Sequence, residues 1–376
     1  MTTTDSRIPP NAATATHADR LQRAQQEMAR QGVDLLVVGA SADLYYLIGY
    51  EGHESERMSV LVLPREGPPH YVVPGLEAPL LDAQRDLLEI VPWEETEDPA
   101  AKVAAVAGPA VEGTIAAGDE LWSVFTIRLQ GRMPRARWTE GGQLLRPLRM
   151  IKDEREIALL AEAARRTDES WEEFLTTSIA GLTEWEVRER LMGLLAARGL
   201  HPVFCNVGSG PNGASPHQTA SDRVVGPGDA VVCDWGGTLE GYNSDVTRTA
   251  HVGEPSPEFV RAYEAVRAAN QAAFDVVRPG VACQEVDRAA RAVLTEAGYG
   301  DAFIHRTGHG LGLSLHEEPY LIEGNTLPLE EGMVFSDEPG VYFPGKFGIR
   351  IEDTVVCTAD GGRRLNEATR TLRVMG

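Results

Sequence analysis

The sequence predicts an α/β (α+β) protein of two domains. A small N-terminal α/β domain is expected over residues 1–148, and a larger domain over 149–376 with a pseudo-two-fold plan around a central antiparallel sheet. Three observations predict this. At 376 residues the chain exceeds one average domain. Its first part alternates short apolar runs with turn residues and helical periods, the mark of mixed α/β structure. Its second part repeats itself: GLTEWEVRERLMGLLAARGLHPVF (181–204) aligns with GVACQEVDRAARAVLTEAGYGDAF (280–303) at an offset of 99.

Taken in order, residues 20–32 have a helical period ending at Gly32. The following VDLLVVGASADLYYLIGYEGHESERMSVLVLPREGPPHYVVP reads as short apolar strands separated by turns, with YYLIGY as one of the strands. Residues 74–92 are helical in period, and TIAAG and WSVFTIRL continue the α/β pattern. QLLRPLRMIKDEREIALLAEAARRTDESWEEFL then opens a long amphipathic helix, which places the boundary near residue 148. Long amphipathic helices are expected at about 151–175 and at 257–276, one before each copy of the repeat, the second started by Ser256 and Pro257. Each repeat is itself an amphipathic helix ending at a glycine, Gly199 or Gly298. Thr183 with Glu186 makes a capping box in the first copy only. The same offset carries His217 onto His316.

Composition excludes several roles. Hydrophobic content of 43% and charged content of 24% are those of a soluble globular chain. A net charge of −21 argues against nucleic acid, whose phosphates need clustered Lys and Arg. No apolar run is long enough to span a membrane. MTTTDSRIPPNAATATHADR lacks a basic start and an apolar stretch, so it reads as a polar tail, and a cytoplasmic location is expected. The four cysteines show no CxxC pairing and are expected as buried thiols.

The chemistry sits in the strands after each repeat. In CDWGGTLEGYNSDVTRTA, Asp234 follows an apolar run and Asp245 comes eleven positions later. A hairpin turn centred between Leu239 and Glu240 would set the two face to face. Opposed carboxylates repel, so one must be protonated or a cation must lie between them. GMVFSDEPGVYFPGKFGIRIEDTVV repeats the device, with a turn near Gly345 opposing Glu338 to Glu352. Between the two pairs, HRTGHGLGLSLHEEP carries His305, His309 and His316 in a loop with few bulky side chains. Four carboxylates and one or two imidazoles form an oxygen-rich site suited to a pair of divalent ions. Mn2+ is expected first, with Co2+, Fe2+ or Zn2+ as alternatives. Two such ions can hold a hydroxide and polarise a carbonyl, which is the chemistry of amide or ester hydrolysis.

These residues resemble the pita-bread metallopeptidases, which include methionine aminopeptidase, aminopeptidase P and prolidase, with creatinase as a metal-free relative. The resemblance covers roughly residues 149–376 and implies Asp234, Asp245, His309, Glu338 and Glu352 as the metal ligands. It implies that Asp245 and Glu352 bridge the ions and that Glu338 is also the general base. It places His217 and His316 beside the scissile bond, as donors to the substrate carbonyl or its oxyanion. His305 would shape the proline pocket, and Arg350 would orient a carboxylate. SDEPG departs from the family by a charged residue before the Glu, and strand alternation turns Asp337 away from the ions.

DLYYLIGYEG looks like the N-terminal domain of the Xaa-Pro peptidases and creatinase, and creatinase is disfavoured by the intact ligand set. The resemblance therefore implies hydrolysis of the Xaa-Pro bond, first in dipeptides and alternatively in longer peptides as by aminopeptidase P. A remoter alternative is a pita-bread binding protein without catalysis. A dipeptidase must recognise a free carboxylate just beyond proline, ideally with an Arg fork. Arg57, the one unambiguous cation of the loop GYEGHESERMSV, is the candidate for that contact. The expected assembly is a homodimer.

Overall fold

The protein is described here by a computed structural model over residues 16–375, so most of the polar N-terminal tail lies outside the described residues. Among the described residues, contacts divide the chain into two compact units, 16–149 and 150–375.

The N-terminal unit is a six-stranded mixed sheet in the order Glu89–Trp93, His70–Pro74, Val60–Pro64, Leu35–Val38, Thr114–Ala117 and Arg137–Glu140. Helix His17–Gln31 ends where expected, at Gly32 in the left-handed conformation with φ 69°. The YYLIGY strand is not found. Ala42–Ile48 is a helix, because Ser41 caps its start by accepting from the Leu44 N–H and Gly49 ends it at φ 67°. The helical period of 74–92 becomes a short 3-10 helix, Ala78–Gln84, followed by strand Glu89–Trp93. Helix Gly142–Met150 is separate from helix Glu154–Phe174, which Asp153 starts afresh with a capping box.

The C-terminal unit shows the duplication directly. Helix Glu184–Ala197 and helix Cys283–Glu296 have both bounds related by the offset of 99. Gly181 and Gly280 precede them at φ 89° and 87°, and Gly199 and Gly298 follow at φ 72° and 82°. These are left-handed positions that favour glycine, which is why the glycines recur. The Thr183 capping box is present, and Ala282 offers no side-chain cap in the second copy.

Each half owns a sheet. The first runs Arg373–Met375, Val246–Val252, Ala230–Leu239, His201–Ser209, and the second runs Glu317–Leu321, Gly308–Gly310, Val334–Asp337, Asp353–Thr358, Gly361–Arg364. Each half also owns a core: Trp171, Leu191 and Trp235 lie in one, and Tyr263, Leu294 and Phe335 in the other. The halves are stitched at the middle, where Thr249 exchanges hydrogen bonds with Arg350 and the Glu352 N–H donates to the Thr247 carbonyl. Behind the stitch, buried Arg248 pairs with buried Asp353 at 2.7 Å. All four cysteines are buried and unpaired.

One expected register is corrected. The first hairpin pairs Thr238 with Asn243 and Asp234 with Thr247, so its turn is Glu240–Gly241 and Asp234 does not oppose Asp245. Glu240 at φ 48° and Gly241 at φ 81° make a two-residue turn of the kind whose twist matches a hairpin. The second hairpin does centre on Gly345: Gly340 pairs with Arg350 and Asp337 with Asp353, which brackets Glu338 opposite Glu352.

Candidate metal centre

Strand alternation and the stitch between the sheets bring the predicted residues to one cavity of about 590 Å³. Asp234, Asp245, His309, Glu338 and Glu352 line it, as do His217, His305, His316 and Arg350. Asp337 does not; its carboxyl faces Asp353, and burial together with that neighbour pushes it up. Arg57 lies in the N-terminal unit, with its Nε 2.8 Å from Glu95 and its Nη1 2.9 Å from Glu56.

Three of the four acids, Asp234, Glu338 and Glu352, are held by a neighbour that leaves an oxygen for a ligand. Arg350 Nη2 lies 2.6 Å from Asp234, and Asn206, across the strand, donates to the same carboxylate at 3.4 Å. Thr247 Oγ1 donates to Glu352 at 2.6 Å. Ser336 Oγ donates to Glu338 at 3.1 Å while accepting from the His309 N–H at 3.0 Å. The His309 Nδ1 lies 3.1 Å from the Gly310 carbonyl. A carbonyl only accepts, so Nδ1 carries the proton and the Nε2 lone pair is free to ligate. That Nε2 is 3.3 Å from Glu338 and 3.6 Å from Asp245. Ligand atoms of Asp245, His309 and Glu352 lie within 4.8 Å of one another, close enough to share an ion.

The electrostatics fit a cation. Burial raises the Asp245 carboxyl well above its ordinary range, and Glu352 and Asp234 add to this. Burial likewise raises Glu352, with Glu338 and Asp234 next in weight. Burial lowers His309 to about 4, so the imidazole is neutral at physiological pH, the form that binds metal. Asp245 and Glu352 are thus buried acids short of positive charge, facing a neutral nitrogen donor. Divalent metal answers that deficit, and the residues fit a carboxylate-rich metal site.

Around the ligands, the His316 ring centroid is 3.9 Å from that of His309, and burial lowers its imidazole to about 4 as well. His305 Nε2 lies 2.9 Å from the Tyr342 hydroxyl. The loops bearing the histidines are pinned by buried acids near the start of the two repeat helices. Glu184 accepts from the backbone and hydroxyl of both Ser209 and Ser221, bracketing the His217 loop. Asp287 accepts from the Thr307 N–H and hydroxyl at 3.0 and 2.8 Å, beside His305. Asn206, Thr247, Tyr342 and the two pinning acids were not assigned roles from sequence. A carboxylate on a helix face carries no sign that its partners lie in a distant loop. Asn206 was reachable, because it is the cross-strand partner of Asp234.

Comparison with known proteins agrees with this picture. Residues 158–359 match metallopeptidase family M24, and residues 20–151 match the creatinase/prolidase N-terminal domain. The crystal structure of dipeptidase PepE from Mycobacterium ulcerans is 42% identical with a TM-score of 0.91, covering 95% of this chain and 97% of that one. That of a recombinant prolidase from Thermococcus sibiricus is 33% identical with a TM-score of 0.90, covering 96% of this chain and 100% of that one. The Xaa-Pro dipeptidase of Lactobacillus delbrueckii subsp. lactis is 32% identical over 95% of this chain and 98% of its own.

Proposed function

The chain belongs to metallopeptidase family M24 and has its pita-bread fold, and on that premise we propose that it hydrolyses the Xaa-Pro bond of dipeptides. The observation that carries the proposal is the meeting of four acids with a neutral imidazole in one cavity. Asp234, Asp245, His309, Glu338 and Glu352 would hold two divalent ions, Mn2+ first, and Asp245, His309 and Glu352 lie close enough together to serve one of them. When bound, the ions supply a water acidic enough to attack at neutral pH and polarise the scissile carbonyl.

The rest is done by the chain. Glu338 takes the proton of the attacking water and delivers it to the proline nitrogen as the C–N bond breaks. Because Ser336 occupies one oxygen of Glu338, the carboxylate is held in orientation during the transfer. His217 and His316 donate hydrogen bonds to the carbonyl oxygen as negative charge builds on it, and a neutral His316 still has an N–H to give. His305, fixed by Tyr342, walls the proline ring. Arg350 is spent on Asp234, Thr247, Tyr342 and the Pro216 carbonyl, so its task is to orient the first ligand and the His217 loop. A homodimer in the cytoplasm is the setting this function expects.

The test is hydrolysis of Met-Pro against Met-Pro-Ala by Mn2+-loaded protein, with Glu338→Ala as the blank. Cleavage of the dipeptide, absent in the blank, is the expected result. Cleavage mainly of the tripeptide would instead make the protein an aminopeptidase P. Cleavage of neither, with metal bound, would overturn the substrate class.

A further inference from the structure

His217 is exposed and makes no side-chain hydrogen bond among the described residues. Its place is therefore the place of its loop, and one side chain closes that loop. Glu184, the first residue of helix Glu184–Ala197, is fully buried and accepts six hydrogen bonds. Its Oε1 takes the Ser209 N–H and hydroxyl, both at 2.7 Å, at the start of the loop. Its Oε2 takes the Ser221 N–H at 3.1 Å and the Ser221 hydroxyl at 2.6 Å, at the end. Asn212 Nδ2 reaches both oxygens, at 3.1 and 3.0 Å. Between these holds, the Pro216 carbonyl accepts from Arg350 Nη1 at 3.0 Å, one residue before His217. The backbone N–H groups of Ser209 and Ser221 can only donate, so both ends of the side chain between them must accept. A carboxylate meets that demand. An amide does not, because one of its ends would set N–H against N–H.

We propose that Glu184 is a positioning residue for hydrolysis: by clasping both ends of the loop it holds His217 at the oxygen where negative charge builds. The inference rests on the proposed role of His217 in Xaa-Pro hydrolysis and names what aims it. The clasp secures distance, because an oxyanion donor works only within about 2.7–3.1 Å of its target. A loop released at either end would carry an exposed imidazole outside that tolerance. The clasp is charge-assisted, so it is stronger than a neutral network of the same geometry. Ser209 is fixed from its other side too. Its hydroxyl accepts from Arg223 Nη1 at 2.6 Å, and Arg223 is paired with Asp229 at 2.7 Å. Glu184 does not line the metal cavity, and Arg350 keeps Asp234 through Nη2 whatever Pro216 does. The effect of Glu184 on the reaction therefore passes through His217.

The experiment is a double-mutant cycle on Met-Pro with Mn2+-loaded protein: wild type, Glu184→Gln, His217→Ala and the two together. Glu184→Gln is expected to lower kcat by about 10- to 100-fold and to leave KM within about threefold. In the His217→Ala background the same substitution should change kcat by less than about twofold, because nothing remains to be aimed. A merely structural role would lower kcat equally in both backgrounds. Ser221→Ala loosens only the far end of the loop. It is expected to lower kcat by about three- to tenfold with the same dependence on His217, and it carries the cycle if Glu184→Gln does not fold. An equal loss with and without His217, a rise in KM at unchanged kcat, or a His217→Ala enzyme with wild-type kcat would overturn the assignment. A wild type that leaves Met-Pro intact would sink the Xaa-Pro function itself, a result distinct from any of these.

Discussion

Glu338 has two duties in the proposed site, ligand and base, and they can be pulled apart. Glu338→Gln keeps an oxygen donor and the Ser336 contact but cannot take a proton. Its kcat on Met-Pro is expected to fall by about 10²- to 10⁴-fold with KM little changed, as steady-state kinetics at saturating Mn2+ would show. Arg248 is a stability test at the same scale. It is 1% exposed and serves Asp353 and the Ala368 and Thr369 carbonyls, so Arg248→Ala leaves Asp353 to Arg364 and Arg370 and strands two carbonyls. A loss of about 2–4 kcal/mol in urea unfolding is expected. The acids and His309 were legible in the sequence because their types and spacings are chemically unusual for strands. The residues that orient them were not, since Thr247 meets Glu352 across 105 positions of chain.

At the scale of elements, the repeat placed both of its helices between their glycines, while several local features were misjudged. Ala42–Ile48 has the aromatic and branched residues of a strand, and the caps at Ser41 and Gly49 decided for a helix. The first hairpin slipped by one residue at its turn, because glycines on both sides of Glu240 left the centre ambiguous and the positive φ of Glu240 itself was not foreseen. The prediction at this scale concerns Gly348, which lies against the turn Gly210–Ala214 that leads into the His217 loop. A Cβ there would overlap the Gly213 carbonyl oxygen. Gly348→Ala is expected to cost about 1–3 kcal/mol in a thermal melt and to lower kcat, since the backbone that must yield carries His217.

For the whole molecule the deciding feature is the surplus of buried acid at the junction of the halves. Asp245 and Glu352 have carboxyls raised by burial and by one another's neighbours. A raised carboxyl means that the folded, metal-free chain binds more protons than the unfolded one above about pH 4. Metal-free stability therefore falls as pH rises through that window, whereas bound ions keep the acids ionised at no such cost. The Tm gap between Mn2+-loaded and chelator-treated protein is expected to be wider at pH 8 than at pH 5, and differential scanning fluorimetry can read it. A gap of equal width would show that these acids do not hold the ions.

The split of the proposed ligand set also bears on how the protein is born. Asp234 and Asp245 belong to the first half, and His309, Glu338 and Glu352 to the second. Glu352 leaves the ribosome 107 residues after Asp245 (352 − 245). At roughly 5–20 residues per second, the first two acids wait on the order of 5–20 s for their partners. Throughout that interval the first half lacks both the rest of the proposed cradle and the strand Arg373–Met375 that edges its own sheet. On the proposed site, capture of the ions waits for the end of synthesis, and a chain stalled before the second half cannot become a premature hydrolase.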